Sequence, residues 1–352
     1  MNWIIIWIIA WVVVMSIFSA SLVLLLRRSD RRKERRQGNK ERPSIPYGKE
    51  KEGVFSLDGT PLHVDYLGES DPTIFFVHGI LATGEVFRYQ KPYFARKYRV
   101  VSLDLRGHGE SSLPASKKDF SIEHMAGDVK ATIDAFDPQQ FVVAGHSMGG
   151  FVTFKFFEKY GKEYEGRLKG LAILDSSGTD TTGMSLRWKL GGLFLKYLWD
   201  SPIIRFLQPH FSKSAAMYMY GRWIAYGEQA PASEVELFQE IASKLPIKTL
   251  KGTAKACMNH KIEYCLPNVN VPVLMLVGNE DCLMAKDRLN KRTCALLPDV
   301  RSKVIEGAGH NAMLELPEEV NAGLDEFFTE RFLRGRESTS DLMESVVPAD
   351  FM

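Results

Sequence analysis

The chain has 352 residues, of which 45% are hydrophobic and 25% charged, and its formal net charge is +2. This composition excludes a disordered, a collagen-like and a disulfide-stapled protein, and the length suits one large domain with an insertion or two small domains. The four cysteines show neither C-x-x-C spacing nor histidines at zinc spacing, so the sequence predicts reduced thiols, largely buried, and no metal site.

The first predicted element is an uncharged run of 24 residues, 3–26, which contains three tryptophans near its start. A helix of this length extends about 36 Å, enough to cross a hydrocarbon core of about 30 Å. A cleavable signal peptide would need a basic start, a shorter apolar run and a small-x-small cleavage site, which this segment lacks. We therefore predict a retained transmembrane anchor over residues 1–26.

A basic stretch follows the apolar run directly. Residues 27–42 contain nine Lys or Arg and three Asp or Glu, a net charge of +6. Positive residues beside a span stay on the cytoplasmic side and are attracted to anionic lipid, so this position favours a membrane surface over nucleic acid as the partner. The prediction is a single-pass protein of the cell membrane with residues 27–52 as a linker and the rest of the chain in the cytoplasm.

The globular part opens with elements typical of an α/β protein. Two alternating runs around Asp58-Gly59 predict a β-hairpin over 53–66, and a nearly unbroken apolar run at 72–79 predicts a central parallel strand. A helix over about 85–97 and a strand over 99–104 should follow. The polar loop that closes this strand, 104–111, is interpreted as a salt-bridged scaffold.

A predicted helix at 121–136, with Ser121 as its N-cap, leads to the stretch that carries the chemistry. The apolar run at 141–144 stops at Gly145, and His146-Ser147-Met148-Gly149 completes a G-x-S-x-G pattern before a helix at about 148–160. In a strand–turn–helix setting this pattern exposes the serine hydroxyl on a strained turn. Ser147 is the predicted nucleophile, and the N–H groups of Met148 and Ile80 are the predicted oxyanion donors.

The rest of the chain predicts three more strands, at 169–175, 271–278 and 303–306. Between the first two of these, residues 179–267 show helical patterns and many aromatic residues, which predict a helical cap inserted into the core. The predicted α/β core therefore comprises 53–178 and 268–334, with a closing helix at 317–333 and a polar tail at 335–352.

A serine hydroxyl needs a base, and the base needs an orienting acid. His310 follows the last predicted strand and is the predicted base, while Asp281 follows the strand before it and is the favoured acid. Asp175 also ends a strand and Glu280 adjoins Asp281, so both remain alternatives for the acid.

These motifs, in the order Ser147, Asp281, His310, resemble the α/β-hydrolase superfamily over about residues 53–334. The resemblance implies an eight-stranded, mostly parallel sheet with the triad at strand ends. The chain is most similar to the capped esterase and monoacylglycerol-lipase-like branch with G-H-S-M-G. It departs from the epoxide hydrolase and haloalkane dehalogenase pattern, which has aspartate at position 147.

The resulting hypothesis is a membrane-anchored serine hydrolase for carboxylic esters of apolar acyl groups, lipids or monoacylglycerols among them, without a cofactor. The same triad also suits carbon–carbon bond, amide or lactone hydrolysis and perhydrolysis. A membrane-tethered binding module that merely keeps the fold is a third hypothesis, against which the complete set of triad candidates argues.

Overall fold

The computed structural model describes residues 48–179, 215–284 and 286–344, together with five isolated positions between 21 and 29. Within these residues we find no helix whose length and hydropathy match those of a membrane span. The anchor predicted at 1–26, nearly all of the basic stretch and the first part of the predicted cap lie outside the described residues.

A single mixed sheet organises the described residues. Its eight strands are β1 (Lys49–Glu50), β2 (Val64–Leu67), β3 (Thr73–Val77), β4 (Arg99–Leu103), β5 (Phe141–His146), β6 (Leu168–Leu174), β7 (Val273–Gly278) and β8 (Val300–Ile305). They lie in the order β1-β2-β4-β3-β5-β6-β7-β8. The pairs β1·β2 and β2·β4 are antiparallel and all other neighbours are parallel. The predicted eight-stranded, mostly parallel sheet is confirmed.

Helices flank this sheet. They are α1 (Gln90–Phe94), α2 (Ile122–Phe136), α3 (Met148–Tyr160), α4 (Ala215–Ala225), α5 (Ala232–Lys244), α6 (Ile247–Asn259), α7 (Lys286–Leu296), α8 (Ala312–Glu315) and α9 (Pro317–Glu344). Short 3₁₀ turns lie at Gly84–Phe87, Lys117–Phe120, Gly161–Tyr164 and Glu263–Asn268. The described part of the predicted cap is therefore helical, and α9 continues into residues predicted as a polar tail.

The core has two layers because successive strand residues face opposite sides of the sheet. Phe75 and Val143 lie in one buried cluster with residues of α2 and α3. Ile74 and Val142, their chain neighbours, lie in a second cluster with residues of α1 and α9. Every residue of β3 and β5 is buried, as expected for central parallel strands covered on both faces.

The helix predicted over 85–97 is wrong. The structure has the 3₁₀ turn Gly84–Phe87 and then the separate short helix α1. Pro92 explains the break, because its ring would collide with the carbonyl of Arg88 in a continuous α-helix and it has no N–H to donate.

The hairpin predicted over 53–66 is only partly formed. Its turn is present, since Ser56 and Thr60 are hydrogen-bonded across Asp58-Gly59, with N–H to carbonyl oxygen at 2.8 Å, and Gly59 has a φ of +82°. The strands, however, pair only through one bridge between Phe55 and Pro61. Gly53, whose φ is +74°, lies in a turn that interrupts the first strand, so regular pairing resumes only between β1 and β2.

Candidate active site

Ser147 lies on the turn between β5 and α3, the two elements that the G-x-S-x-G pattern predicts. Its backbone φ is +53°, in the left-handed region that non-glycine residues rarely occupy. The backbone N–H of Ser147 donates to the Leu174 carbonyl at 3.0 Å, and its carbonyl accepts from the Ser176 hydroxyl at 2.6 Å. The end of β6 and the loop that follows it therefore hold both backbone polar groups of the strained residue.

Two glycines allow the turn to close. A side chain on Gly145 would overlap the carbonyl of Gly149, and a side chain on Gly149 would overlap the carbonyl of Val77 at the end of β3. Each is thus required by close backbone approach, as the sequence pattern predicts.

The structure brings Ser147, His310 and Asp281 into one hydrogen-bonded chain. Ser147 Oγ lies 2.8 Å from His310 Nε2, and His310 Nδ1 lies 2.9 Å from Asp281 Oδ2. Because a carboxylate only accepts, Nδ1–H donates to Asp281, which leaves Nε2 free to accept the serine proton. Asp281 Oδ1 accepts from the N–H groups of Leu283 and Met284, so the carboxylate is fixed as well.

Asp175, the alternative acid, lies close by but makes other contacts. Its carboxylate accepts from the N–H groups of Gly278 at 2.8 Å and Ala312 at 3.1 Å, and neither oxygen has a hydrogen bond to His310. Burial raises the pKa of Asp175 well above its ordinary value, and the charge of Asp281 raises it further. Glu280, the other alternative, accepts from the N–H of Glu228 instead.

The turn 78–80 lies against Ser147, where the sequence places an oxyanion donor. A methyl group built on Gly79 would lie 2.9 Å from the Ser147 Cβ. Among the described residues, no acceptor is bonded to the N–H of Ile80 or of Met148. The N–H of Met148 at the N-terminus of α3 and the N–H of Ile80 in the turn are thus both unengaged, as donors to a developing anion must be.

The other histidines near the site are neutral. Burial lowers the pKa of His78 to about 4, and burial followed by the charge of a neighbouring histidine lowers those of His108 and His146 to about 3. His78 uses both ring nitrogens to hold its loop, donating to the Gly79 carbonyl at 2.7 Å and accepting from the Leu105 N–H at 2.9 Å. This is the structural role predicted for it.

The polar loop 104–111 also has the predicted scaffolding role. Arg106, buried with 1% of its surface exposed, pairs with Asp128 of α2 and with Asp58 of the hairpin turn. Asp104 accepts from the N–H of Gly84 at 2.8 Å. These contacts tie the strand end to α2, to the hairpin and to the first 3₁₀ turn.

One carboxylate at the site, Glu315 of α8, was not predicted from the sequence. Its side chain is buried and accepts hydrogen bonds from backbone N–H groups on both sides of His310. The sequence feature that could have indicated its role is a single carboxylate directly after the apolar run 312–314, five residues beyond the predicted base.

All four cysteines are free, with Cys257 and Cys265 buried and Cys282 exposed. Within the described ranges no group of three or more His, Cys, Asp or Glu side chains has the arrangement of a metal site.

Comparisons with known proteins agree on the fold. A family model described as alpha/beta hydrolase fold matches residues 72–317. Epoxide hydrolase 4 of Mus musculus is 25% identical over 293 residues, which are 78% of this chain and 78% of that protein. An esterase from Exiguobacterium antarcticum superposes with a TM-score of 0.66 over 80% of this chain and 98% of that chain, at 21% identity. At this identity the structural likeness shows the fold alone.

A shorter match has the higher identity. Epoxide hydrolase 1 of Caenorhabditis elegans is 31% identical over 122 residues, which cover 34% of this chain and 30% of that protein. This chain therefore matches less than a third of that relative's length.

Proposed function

The chain belongs to the family of proteins with the α/β-hydrolase fold, and we propose that it is a serine hydrolase that cleaves carboxylic esters through an acyl-enzyme on Ser147. One observation carries this proposal: Ser147 Oγ, the imidazole of His310 and the carboxylate of Asp281 form a continuous chain of hydrogen bonds at 2.8 and 2.9 Å. A nucleophile, a base and an orienting acid are the groups that acyl transfer requires.

In the proposed acylation step, Ser147 Oγ attacks the ester carbonyl carbon while His310 Nε2 takes the hydroxyl proton. The negative charge passes to the carbonyl oxygen, where the N–H groups of Met148 and Ile80 are placed to donate. Each such donor contributes about 3 kcal/mol to the transition state, by analogy with measured losses. The tetrahedral adduct then collapses, and the imidazolium returns the proton to the departing alcohol.

Water completes the cycle by the same route. His310 removes a proton from the water as it attacks the acyl carbon, and the proton then passes to Ser147 Oγ as the carboxylic acid leaves. Asp281 holds the imidazole in the tautomer with a proton on Nδ1 and stabilises the imidazolium in both steps.

The proposed substrates are esters of apolar acyl groups, including lipids and monoacylglycerols. Two features of the sequence support this: the insertion after β6 is rich in aromatic residues, and the apolar run with its basic flank suits a bilayer tether. We further propose a single-pass membrane location with the hydrolase domain on the cytoplasmic side.

The nucleophile is tested by fluorophosphonate labelling followed by peptide mapping. Ser147→Ala should abolish both labelling and p-nitrophenyl ester turnover, while Ser243→Ala, a matched change on α5, should alter neither. Labelling that persists in the Ser147 variant would place the nucleophile elsewhere.

The acyl preference is tested by a p-nitrophenyl ester series from two to eight carbons on the full-length protein. Each buried CH₂ contributes about 0.8 kcal/mol, so four further carbons, fully buried, would raise kcat/KM about a hundredfold. A flat or falling series would contradict an apolar acyl site.

Epoxide hydrolysis is the second candidate, because a relative that is 25% identical over 78% of this chain is named an epoxide hydrolase. Ser147 argues against it chemically. A serine oxygen that opens an epoxide forms an ether, and water activated by His310 has no acyl carbon to attack in an ether. Mass spectrometry after incubation with styrene oxide distinguishes the two: diol formation at a catalytic rate would favour epoxide hydrolysis, whereas ester turnover without diol supports the serine hydrolase.

A further inference from the structure

The backbone around His310 is held by groups from outside its own loop. His310 N–H donates to the carbonyl of Ala225, the last residue of α4, at 3.1 Å, and the side-chain amide of Asn311 donates to the same carbonyl at 3.1 Å. On the other side, His146 Nε2–H donates to the His310 carbonyl at 2.8 Å. The proposed base is thus attached both to the nucleophile turn and to the helical region inserted after β6.

Glu315 adds further hydrogen bonds to this attachment. Its Oε1 accepts from the N–H groups of Gly309 and Asn311, each at 3.1 Å. Its Oε2 accepts from the N–H of Gly227 at 2.7 Å and shares that of Gly309 at 3.1 Å. One buried carboxylate therefore binds the residues on either side of His310 and, at the same time, the 225–228 segment between α4 and α5.

The two segments approach closely enough to exclude side chains. A methyl group built on Gly227 would lie 2.7 Å from the Gly307 carbonyl, 2.8 Å from Glu280 Oε2 and 3.0 Å from the Gly309 nitrogen. One on Gly309 would overlap the backbone of Tyr226 and Gly227. The backbones of the His310 loop and of the 225–228 segment are therefore in direct contact at this point.

We propose that Glu315 is a positioning residue that locks the His310 loop to the 225–228 segment, so that the base reaches Ser147 only while the inserted helices are docked. This inference rests on the proposed serine hydrolase function, in which His310 is the base.

The hydrogen bonds require a carboxylate. Three backbone donors converge on its two oxygens, and a glutamine of the same shape would turn one oxygen into an NH₂ group. Whichever way that amide is oriented, its NH₂ faces either the donors flanking His310 or the N–H of Gly227. One of the two attachments is then lost.

Burial raises the pKa of Glu315 to about 7, although the three N–H groups oppose the shift. The titratable and charged side chains around the carboxylate and the segments that it holds are Asp175, Tyr226, Arg222, Glu280, Asp281 and His310. Protonation turns one oxygen into a donor, so the lock should weaken as the pH falls below about 7.

The test compares Glu315→Gln with Glu319→Gln, a matched change at an exposed position four residues further on. We expect kcat for a p-nitrophenyl ester at pH 8 to fall at least tenfold in the Glu315 variant, with KM within twofold. Just below pH 7 the acid limb of log kcat/KM against pH should be steeper than a slope of 1 in the wild type and the Glu319 variant, and should keep a slope of 1 in the Glu315 variant. Wild-type kcat and an unchanged acid limb in the Glu315 variant would overturn the inference.

Hydrogen exchange provides a readout that does not depend on turnover. Amides 225–228 and 307–312 should exchange at least tenfold faster in Glu315→Gln than in Glu319→Gln. Equal protection in the two variants would overturn the lock even if the wild type hydrolyses no ester. Absence of ester turnover and labelling in the wild type would instead contradict the proposed function.

A second pair of variants tests the lock independently, in case Glu315→Gln fails to fold. Gly227→Ala places a methyl group between the two segments, whereas Gly221→Ala adds one in the middle of α4 where no atom lies within 4 Å. Gly227→Ala should lower kcat at least tenfold and Gly221→Ala should leave it within twofold. Equal activities would count against the lock.

Discussion

At the scale of single residues, two buried carboxylates at the ends of neighbouring strands differ in their hydrogen-bond partners. Asp281, which follows β7, orients His310, whereas Asp175, which follows β6, accepts from backbone N–H groups of the β7 end and of α8. Both residues could be predicted to lie near His310, because β6 and β7 are adjacent parallel strands and their carboxyl ends meet at one edge of the sheet. The sequence could only favour one, since the direction of each side chain depends on loop geometry that appears only in the folded protein.

Substitution of each acid by its amide tests this difference. Asp281→Asn should lower kcat by several orders of magnitude, because an amide cannot hold the tautomer with a proton on Nδ1. Asp175→Asn should lower it far less, with a loss confined to the backbone contacts of Gly278 and Ala312. Stopped-flow measurement of both variants with one ester provides the ranking, and the reverse ranking would transfer the orienting role to Asp175.

At the scale of single elements, helices and strands with a strong sequence pattern could be predicted. Those interrupted by a proline or by a glycine with positive φ could not. The start of β5, the N-cap Ser121 and the start of α3 were predicted correctly, because apolar periodicity and cap chemistry are local. Pro92 interrupted a predicted helix, and the positive φ of Gly53 interrupted the first strand of a predicted hairpin. In both cases the backbone conformation of one residue broke a regular pattern that the apolar periodicity alone implied.

The buried pair of Arg106 and Asp128 should be a strong determinant of stability, since it fastens the β4 loop to α2. Arg106→Met leaves the Asp128 carboxylate, with 0% of its surface exposed, without its cation. The free energy of unfolding should fall by about 3–5 kcal/mol at pH 7. Urea unfolding monitored by circular dichroism measures this loss.

The pH dependence and a double variant provide the controls for this prediction. Without Arg106, the buried carboxyl has a folded pKa above its unfolded value, so the deficit should shrink as the pH falls and the group takes up a proton. Arg106→Met with Asp128→Asn should recover part of the loss at pH 7. A double variant less stable than the single one at that pH would contradict the desolvation argument.

The sheet assembles the site from distant parts of the chain at the scale of the whole molecule. Ser147 and His310 are 163 residues apart, and the carboxylate of Glu315 reaches Gly227 across 88 residues. Family motifs made the first pairing predictable. The contact between Glu315 and Gly227 has no sequence motif, because it depends on where an inserted helix ends in space. The sequence pattern of that region indicates helices but not how they pack on the core.

Membrane attachment is the prediction at this scale that lies outside the described residues. The full-length protein should sediment with membranes, and its hydrolase domain should resist protease added to intact cells until detergent is present. A variant with glutamine in place of the nine basic residues of 27–42 should insert in both orientations, so that part of its hydrolase domain is digested in intact cells. Digestion of the wild-type domain in intact cells would contradict the predicted topology.

The long separation between Ser147 and His310 has a consequence for synthesis on the ribosome. The strand, the turn and the helix that present the serine leave the exit tunnel while the histidine is still untranslated. Under the proposed function, a nascent chain in which this turn has formed still has no base and attacks no ester around it. Ribosome-stalled chains that end before residue 310 should be inert, so that esterase activity reports the completion of translation as well as correct folding.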